Sequence, residues 1–514
     1  NDDAERFSWD MKINAQVTKR LKVGISLLGN LRYNTDPIYG VSTTVNVINR
    51  ALPIFGTQLP DGKWLSTWLS TPGRNNPENP LMELHEGNTK RQFHRILGRI
   101  NIGYDLPWGI KYNANLGYVK VDHYSKDFKH AMYTYNPKTL ERKNFSAYVS
   151  AKDWDNNAIN YTFYNTLSWG KSFGGNHNFN VMVGTEYKRY DGKNFQAKKR
   201  DYFNNQLTAL SVGSTMEDIS GGSSLELLFS YFGRITYDYK EKYLIDVTAR
   251  YDGSSKFAAG HRWGYFPAAS TGWVVSKEGF WPENSAVSML KARVSYGLTG
   301  NNGIGLYDTY GSYNSLYTYN GNATTTTNTM PNNGLIWEKT LQFNAGIDLG
   351  LLDNRITLAL DYYNKETRDL LFDVSLPNTT GYNSVSTNLG RVRFYGTELS
   401  LSSVNIDRKG FSWRTDFTYS YNMNRVLELP DNGNPRNRIN GISVGDGSQF
   451  GGIAEGERMG RIFGYVAERI IETQEEADAA RYDTQSRGYR RSDRRQIAGR
   501  KDIGLSLIHI SEPT

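Results

Sequence analysis

The sequence predicts an all-β protein, an antiparallel sheet that crosses a membrane as the wall of a β-barrel. Three observations support this fold class. Apolar and polar residues alternate with period two over many stretches of about ten residues or more. Short connections between these stretches alternate with long ones. Aromatic residues reach 13 %, including 35 Tyr, yet the mean hydropathy is −0.60, as expected when only one face of each strand meets lipid.

The alternation is clearest in four stretches. Odd-numbered residues are apolar from Trp9 to Val17, and even-numbered residues are apolar from Ile110 to Tyr118. Odd-numbered residues again form the apolar set over 341–351 and, with one Thr, over 411–421. Counting all such stretches gives roughly 14 strands, which we place at 8–18, 22–34, 91–105, 110–123, 157–170, 177–191, 223–239, 243–253, 263–276, 288–298, 338–350, 355–366, 391–404 and 411–424.

The connections are of two kinds. Short turns are predicted near 19–21, 106–109, 172–176, 241–242, 352–354 and 407–410. Long segments are predicted near 35–90, 124–156, 192–222, 299–337, 367–390 and 425–504. The connection near 254–262 is short where a long one is due. In lipid every backbone donor and acceptor must be paired, and about ten residues of tilted strand cross the hydrocarbon. We therefore expect short periplasmic turns and long extracellular loops.

Composition excludes several other classes. The chain has no Cys, which removes disulfide scaffolds, thiolate metal sites and cysteine nucleophiles. It has no apolar run near the roughly 20 residues of a membrane-spanning helix. A propeller would show a repeat of about 40–50 residues, and no such repeat is present. A soluble sandwich would have shorter strands and fewer loops this long.

The search for catalytic and metal motifs is negative. The sequence has no P-loop, HExxH, GxSxG or EF-hand loop, and its seven His are scattered. We therefore predict no catalytic, cofactor or metal site and no enzyme activity; an outer-membrane lipase or protease is the enzyme alternative. The basic stretch Arg487–Arg500 is interpreted as a solvated loop rather than a nucleic-acid site.

Both ends of the chain are unusual. Residue 1 is Asn, and no signal-peptide pattern follows it. Residues 505–514, LSLIHISEPT, resemble the translation of a sequencing adaptor; a short terminal strand is the alternative interpretation. We accordingly predict a partial barrel domain over 1–504 and a non-native segment over 505–514, and we expect a gene fragment truncated at both ends.

Several strings resemble one family in order and spacing. They are TKRLKVGISLLGN at 18–30, RYDGSSKF at 250–257, RWGYFPAASTGWVVSKE at 262–278, LKARVSYGLTGNNGI at 290–304, WEKTLQFNAGIDLGLLDNRITLALDYYNKETRDLLF at 337–372, NLGRVRFYGTELSLS around Gly390, Gly396 and Glu398, and GERMGRIFGYVAERIIETQEEADA at 456–479. The chain resembles the SusC/RagA family of TonB-dependent outer-membrane transporters over nearly its whole length, apart from 505–514.

The resemblance implies a function. Family members form barrels of about 22 strands with a plugged lumen, so this chain corresponds to a segment of about 14 strands without the plug and TonB box. The resemblance implies import of oligosaccharides, or of peptides, across a Gram-negative, Bacteroidetes-like outer membrane. It also implies two partners, a SusD-like surface lipoprotein and the TonB–ExbB–ExbD motor. A passive porin and a soluble carbohydrate-binding β protein are the alternatives.

Candidate substrate contacts are aromatic residues in the long loops, because flat apolar rings complement the C–H faces of sugars. These candidates, for which loop packing or partner contact is the other interpretation, are Trp64, Trp68, Tyr310, Tyr313, Tyr317 and Tyr319. Polar strand faces are expected to line the lumen at Asn113, Asn115, Gln342 and Asn344. Trp263, Phe266 and Trp273 are expected in a lipid-facing or interfacial band, and Tyr362 and Tyr363 in an interfacial aromatic girdle.

Overall fold

The computed structural model describes residues 3–50, 56–65, 79–136, 139–146, 148–282, 285–443, 449–461, 465–470 and 506–510. The strands of the first half are β1 Asp3–Gln16, β2 Leu21–Pro37, β3 Gly87–Asp105, β4 Ile110–Lys129, β5 Met132–Tyr135, β6 Arg142–Ser146, β7 Ser150–Phe173, β8 His177–Arg200, β9 Thr215–Tyr239, β10 Tyr243–Ser254, β11 Trp263–Val274 and β12 Val287–Asn301. Those of the second half are β13 Ser312–Tyr319, β14 Asn322–Met330, β15 Glu338–Leu351, β16 Ile356–Arg368, β17 Leu371–Ser375, β18 Ser384–Asn388, β19 Arg391–Arg408, β20 Phe411–Glu428, β21 Ile442–Ser443, β22 Gln449–Phe450, β23 Tyr465–Ile470 and β24 Ser506–Ile510.

Helices are short and lie in the connections. They are α1 Val41–Arg50, α2 Pro80–Glu83 and the 3-10 turns Pro107–Gly109, Leu210–Val212, Val275–Lys277, Asn378–Thr380 and Pro435–Asn437. Asn79 caps α2 by accepting hydrogen bonds from the amides of Leu81 and Met82. Among the described residues, no helix is long and apolar enough to cross a bilayer.

The main sheet has 14 strands, as predicted, in the order β1-β2-β3-β4-β7-β8-β9-β10-β11-β12-β15-β16-β19-β20. Each strand pairs with the next sheet strand along the chain, so the sheet is an antiparallel meander. Predicted boundaries agree to within a few residues at the short connections. At the long connections the strands continue further, for example to Arg200 in β8 and from Thr215 in β9.

This difference has a physical cause. On β4 the even-numbered face is apolar through Tyr118 and then carries Lys120 and Asp122, which form an ion pair of 3.1 Å. From Lys120 the even-numbered face is no longer uniformly apolar, and Val119 and Val121 lie on the odd-numbered face, so the period-two signal stops. Backbone pairing with β3 and β7 nevertheless continues to Lys129.

The chain divides into two compact units, each described separately. Unit 1 contains 1–171, 181–233 and 252–255, and unit 2 contains 172–180, 234–251 and 256–514. In unit 1 the register aligns one apolar row across β1, β2, β3, β4 and β7, namely Ile13, Ile25, Ile100, Leu116 and Phe163. All five side chains are exposed, as expected of a surface that meets lipid.

Unit 2 repeats the arrangement across β15, β16, β19 and β20. One apolar row contains Leu349, Leu358, Leu401 and Phe417, and the next contains Ile347, Leu360, Leu399 and Tyr419. The alternate positions of the same strands are mostly polar. The separate alternations read from the sequence therefore combine into one apolar face and one polar face.

Aromatic residues mark both borders of the apolar face on β11. Trp263 and Trp273 are 43 % and 41 % exposed. Trp273 follows Trp263 by ten positions, which corresponds to about 33 Å of strand, or about 25 Å along the membrane normal at a tilt of about 40°, the height of an outer-membrane apolar band. Trp263 stacks on Tyr251 with ring centroids 4.6 Å apart, and Trp273 Nε1 donates to Glu278 Oε1 at 3.0 Å.

Two interfacial assignments were wrong, because neighbouring residues of a strand face opposite sides of the sheet. Phe266 cannot share a face with Trp263; it is only 8 % exposed and packs edge-on against Trp337. Tyr363 likewise faces away from Tyr362, and its hydroxyl donates to Asn422 Oδ1 at 2.5 Å.

The long connections contain small sheets that the sequence did not predict. The largest, which we call the loop sheet, has the order β13-β14-β18-β17. The others are β5-β6, β21-β22 and β23-β24. The last of these pairs Ser506–Ile510 with Tyr465–Ile470. Strand pairing does not report the origin of a segment, so the adaptor interpretation of 505–514 stays a prediction.

Candidate functional site

A network of charged side chains lies on the polar face of unit 2. Arg293 on β12 forms ion pairs of 2.8 Å with Asp348 on β15 and with Asp361 on β16. Gly346 lies between them in the register. A Cβ at Gly346 would stand 2.4 Å from Asp361 Oδ1 and 2.9 Å from Arg293 Cζ. Glycine at this position therefore allows one guanidinium to bridge three strands.

Amide side chains continue the network along the same face. Asn344 Nδ2 donates to Ser295 Oγ at 3.0 Å, and Gln342 Nε2 donates to Asn344 Oδ1 at 2.9 Å. In unit 1, Asn113 and Asn115 alternate with the apolar residues of β4 and lie on its polar face. The predicted polar placement of Gln342, Asn344, Asn113 and Asn115 is confirmed; a role in lining a substrate path stays a prediction.

A cavity of about 520 Å³ opens on the polar face of unit 2. Its polar lining includes Thr236, Asp246, Ser270, Lys291, Arg293 and Asn344. Hydroxyl, amide and charged groups in this mixture can exchange hydrogen bonds with a polar solute in either direction. The surface therefore suits a hydroxyl-rich or amide-rich ligand better than an apolar one.

Three of the six predicted aromatic contacts, Tyr313, Tyr317 and Tyr319, lie on β13 of the loop sheet. Tyr313 and Tyr319 lie on β13 and are 75 % and 80 % exposed, and Tyr310 lies just before this strand and is also exposed. The backbone of Tyr317 pairs with Thr324 on β14, whereas its side chain lies outside the described residues. The structure thus places Tyr313 and Tyr319 on the edge strand of one small sheet, with Tyr310 just before that strand.

Buried aromatic residues pack together at the end of the main sheet in unit 2, where the connection from β14 enters β15. Trp337 packs against Phe257 and Phe266, with ring centroids 5.4 Å away in each case. Its Nε1 donates to the carbonyl oxygen of Arg262 at 2.8 Å. The cluster joins three of the strings that carry the family resemblance, so these three residues have a packing role. Their mutual contact was not predictable because they are distant in sequence.

A hydrogen-bonded tie joins the two connections that form the loop sheet. Asn388 Oδ1 accepts from the Ile336 amide at 2.8 Å, and Asn388 Nδ2 donates to the Ile336 carbonyl oxygen at 2.8 Å. Asn332 Nδ2 donates to the Ser386 carbonyl oxygen at 2.9 Å. These bonds hold β17 and β18 beside the segment that follows β14.

Trp64 belongs to unit 1 and is half-buried. Its ring lies 5.2 Å from the His85 ring, and its carbonyl oxygen accepts from the Tyr135 amide at 2.9 Å. Trp64 is therefore attached to the end of the β2–β3 connection and to β5. Trp68 lies outside the described residues, as does the basic stretch 487–500.

A polar cluster, which we call the Glu86 clamp, closes the β2–β3 connection. Glu86 is fully buried; its Oε1 accepts from the Tyr39 hydroxyl at 3.0 Å and lies 2.9 Å from Lys129 Nζ. Lys129 Nζ also donates to the Tyr39 hydroxyl at 2.6 Å. Burial, together with the Glu86 carboxylate, raises the pKa of Tyr39 to about 12. The clamp fixes both ends of the connection to β4, next to His85 and Trp64.

A similar carboxylate fixes the connection after β20. Glu457 accepts from Arg438 at 2.6 Å and from Arg436 at 3.1 Å, and it lies 3.5 Å from Arg461. Burial alone would raise the pKa of Glu457, but the Arg438 hydrogen bonds and the surrounding arginine charges outweigh it, so the pKa lies below its usual range. The sequence did not predict the Glu86 clamp or the Glu457 cluster. In the Glu86 clamp the residues are 43–90 positions apart, so no local pattern indicates that they meet.

Metal-binding clusters were also sought. Across the ranges that the structure describes, no three His, Asp or Glu side chains are grouped so that they could hold a metal ion.

The fold and its surfaces define a class of protein. Long antiparallel strands with one apolar face bordered by aromatic residues, one polar face and folded long connections are the architecture of a transmembrane β-barrel receptor. The family model described as "TonB dependent receptor-like, beta-barrel" matches residues 26–493, and the chain belongs to that family. The resemblance to SusC/RagA transporters is confirmed by named relatives.

Two curated relatives are informative. The chain is 29 % identical to TonB-dependent receptor P3 of Formosa agariphila over 484 residues, covering 90 % of this chain and 46 % of the relative. It is 29 % identical to TonB-dependent receptor SusC of Bacteroides thetaiotaomicron over 377 residues, covering 70 % of this chain and 36 % of the relative. The chain therefore spans about half the length, or less, of the curated relatives it matches.

A solved structure of the RagAB peptide transporter matches this fold with a TM-score of 0.73. The match covers 92 % of this chain and 51 % of the transporter chain, at 20 % identity. At that identity the similarity establishes the fold.

Proposed function

We propose that this chain is part of the barrel of a TonB-dependent outer-membrane importer of the SusC/RagA type. The observation that carries the proposal is the match to the receptor barrel family over 26–493. The bordered apolar face described above supports placement in the outer membrane. Relatives in Formosa and Bacteroides support a Bacteroidetes-like source.

Oligosaccharides are the substrate class we favour, with peptides as the alternative. Exposed tyrosine rings on β13 offer flat apolar surfaces to sugar C–H faces. Ser, Thr, Asn and Gln side chains on the polar face of unit 2 offer the mixed donors and acceptors that sugar hydroxyls or peptide amides require. The RagAB relative is a peptide transporter by its description, so the two classes must be separated by experiment.

Transport would then use two partners. We propose a SusD-like surface lipoprotein that delivers the substrate to the long connections, and the TonB–ExbB–ExbD motor that energises release through the whole receptor. An aromatic surface at the long connections would hold the substrate first. The polar face would then exchange hydrogen bonds with it during passage, so that no step strips all of its hydrogen bonds at once.

Uptake of labelled oligosaccharides and labelled peptides by cells that carry the receptor tests the proposal. Energised import should concentrate the substrate and should stop when the gene for TonB is deleted. Uptake that persists without TonB and never exceeds the external concentration would indicate a passive porin. Recovery of the protein in the soluble fraction would favour a soluble carbohydrate-binding protein.

The aromatic contacts need a separate test. Replacing Tyr313 and Tyr319 together by Ala should weaken substrate binding by roughly tenfold, about 1.4 kcal/mol, if two ring contacts of about 0.7 kcal/mol each are lost. Phe203→Ala is the matched control, because Phe203 is 91 % exposed on the β8–β9 connection of unit 1. Unchanged affinity in the double variant would refute these substrate contacts.

The division of the chain stays a proposal as well. We propose that 1–504 is receptor barrel and that 505–514 is translated adaptor sequence. Sequencing the locus in intact genomic DNA tests this directly. A native reading frame that continues through Leu505–Thr514 would overturn the adaptor assignment.

A further inference from the structure

A group of arginines, which we call the arginine patch, lies on the apolar face of unit 2 just beyond its last apolar row. Its members are Arg368 on β16, Arg391 and Arg393 on β19, and Arg425 on β20. Strand register aligns Leu341, Glu366, Arg393 and Arg425 in one row. The patch therefore faces the same side as the apolar rows below it.

The height of the patch matches a lipid headgroup layer. The row before it contains Phe343, Asn364, Tyr395 and Met423. Two residues of strand separate the rows, about 7 Å along the strand, or about 5 Å along the membrane normal at a tilt of about 40°. The headgroup region of each leaflet is only about 6 Å thick. The patch lies towards the long connections, which corresponds to the outer leaflet in the proposed orientation.

Carboxylates neutralise the patch only in part. Glu366 accepts from Arg368 at 2.7 Å and from Arg393 at 3.2 Å, and it lies 3.7 Å from Arg391. Arg391 also donates to Glu428 at 2.8 Å. One carboxylate therefore serves three guanidinium groups, and among the residues that the structure describes only Arg391 of these three has a second acidic partner.

Arg393 and Arg425 are directly opposite each other on neighbouring strands. Like charges at opposed positions on one face of a sheet destabilise the pair. The Nε of Arg393 is shielded from solvent and has no hydrogen-bond partner within the described residues. Arg425 is exposed and forms no ion pair in the described part of the chain. An anion between the two side chains would remove the repulsion and occupy the unused donors.

We propose that Arg393 and Arg425, supported by Arg391, bind a phosphate group of an outer-leaflet lipid headgroup. Two guanidinium forks match the oxygens of a phosphate, and such charge-assisted hydrogen bonds are among the strongest in proteins. A lipid is favoured over a soluble anion because the patch continues the face that meets lipid, at headgroup height. The inference rests on the proposed outer-membrane placement.

Native mass spectrometry of the detergent-solubilised protein tests the proposal. The probes are diphosphoryl lipid A, the same glycolipid with its phosphates removed, and inorganic phosphate. The test variant is Arg393→Gln with Arg425→Gln. The matched control is Lys291→Gln with Lys365→Gln, which removes two positive charges from the opposite face of the same sheet.

The test variant should bind diphosphoryl lipid A at least about tenfold more weakly than the wild type, whereas the control should bind it as the wild type does. Neither protein should bind the dephosphorylated glycolipid tightly. Equal lipid binding by wild type and test variant would overturn the proposal. Displacement of the lipid by inorganic phosphate at equal concentration would also overturn it, in favour of a free-anion site.

Folding and membrane placement are checked separately. The heat-dependent gel shift of a folded barrel should be retained in the test variant, because the substitution relieves a like-charge pair. If that variant does not fold, Arg393→Lys with Arg425→Lys keeps the charge and removes the planar forks, and its lipid binding should still fall. If the wild-type protein does not float with lipid vesicles, the proposed membrane placement is refuted. If the wild-type protein floats but both variants bind lipid normally, only the lipid site is refuted.

Discussion

Replacing Glu86 by Gln should loosen the β2–β3 connection without unfolding the main sheet. Gln keeps the size of the side chain and can still accept from the Tyr39 hydroxyl, so the substitution removes little except the charge. Lys129 then loses its ion pair at the point where both ends of the connection are held. The expected effect is therefore local, at 79–86 and at the end of β4.

The magnitude follows from the geometry. Lys129 Nζ and Glu86 Oε1 are 2.9 Å apart, which gives an attraction of about 6 kcal/mol at an effective dielectric constant of about 20. Breaking a buried pair costs about 3–5 kcal/mol net. The Lys129 side chain is 30 % exposed and can regain water, so the lower end, about 3 kcal/mol, applies. That free energy corresponds to an increase of about 100-fold in local opening.

Hydrogen exchange followed by mass spectrometry measures this opening. The His130 amide donates to the Glu86 carbonyl oxygen at 2.6 Å, and it should exchange about 100-fold faster in Glu86→Gln. Amides of β4 near Leu116 should be unchanged. Glu141→Gln is the control, because Glu141 is an exposed carboxylate on a neighbouring connection. Equal exchange at His130 in wild type and Glu86→Gln would refute the clamp.

Two further predictions concern other packed groups. Tyr39 has a pKa of about 12 against an ordinary value of 10.0, so its stabilising contribution is complete below pH 10 and is lost as the pH rises through 12. Burial also raises the pKa of Tyr202, so a tyrosinate absorbance titration should show several late ionisations, and Tyr39→Phe should remove one of them. A Cβ at Gly300 would lie 2.0 Å from Phe266 Cζ, so Gly300→Ala should destabilise unit 2 by about 1–3 kcal/mol, measured as a lower unfolding temperature in the gel-shift assay. Phe266→Leu should restore the loss, whereas Gly98→Ala, with its nearest neighbour at 3.8 Å, should have little effect.

Strand number and order were predictable because a membrane imposes period two. Lipid on one side and polar surroundings on the other force every spanning strand to alternate, as the rows of Leu349 and Ile347 show. The period-two alternation no longer marks a strand where one of its faces stops being apolar. Beyond Tyr118 on β4, the even-numbered face carries Lys120 and Asp122 and the regular alternation ends, so the sequence underestimated the strand by six residues although pairing continued to Lys129.

The loop sheet could not be predicted for a related reason. The sequence of β14, NATTTTNTM, has residues that favour strands but almost no apolar alternation. Its neighbours β17 and β18 come from another connection, so no local pattern indicated the pairing. Phe266 shows the complementary error, since its aromatic character suggested the membrane interface while its even position placed it on the opposite face. The even or odd position of a residue along its strand was the sequence signal that would have placed Phe266 on the opposite face from Trp263.

The anchoring of the loop sheet bears on which aromatic residues serve as contacts. A residue on a mobile loop must lose backbone freedom as well as side-chain freedom when it binds, and fixing the backbone costs about 1–2 kcal/mol per residue. Tyr313 and Tyr319 lie on a hydrogen-bonded strand, and the Asn388 bonds tie β18 of the same sheet to Ile336, close to the start of β15. Their backbone freedom is therefore already spent on folding. This pre-organisation, more than aromatic content alone, makes β13 the strongest candidate contact surface of the chain.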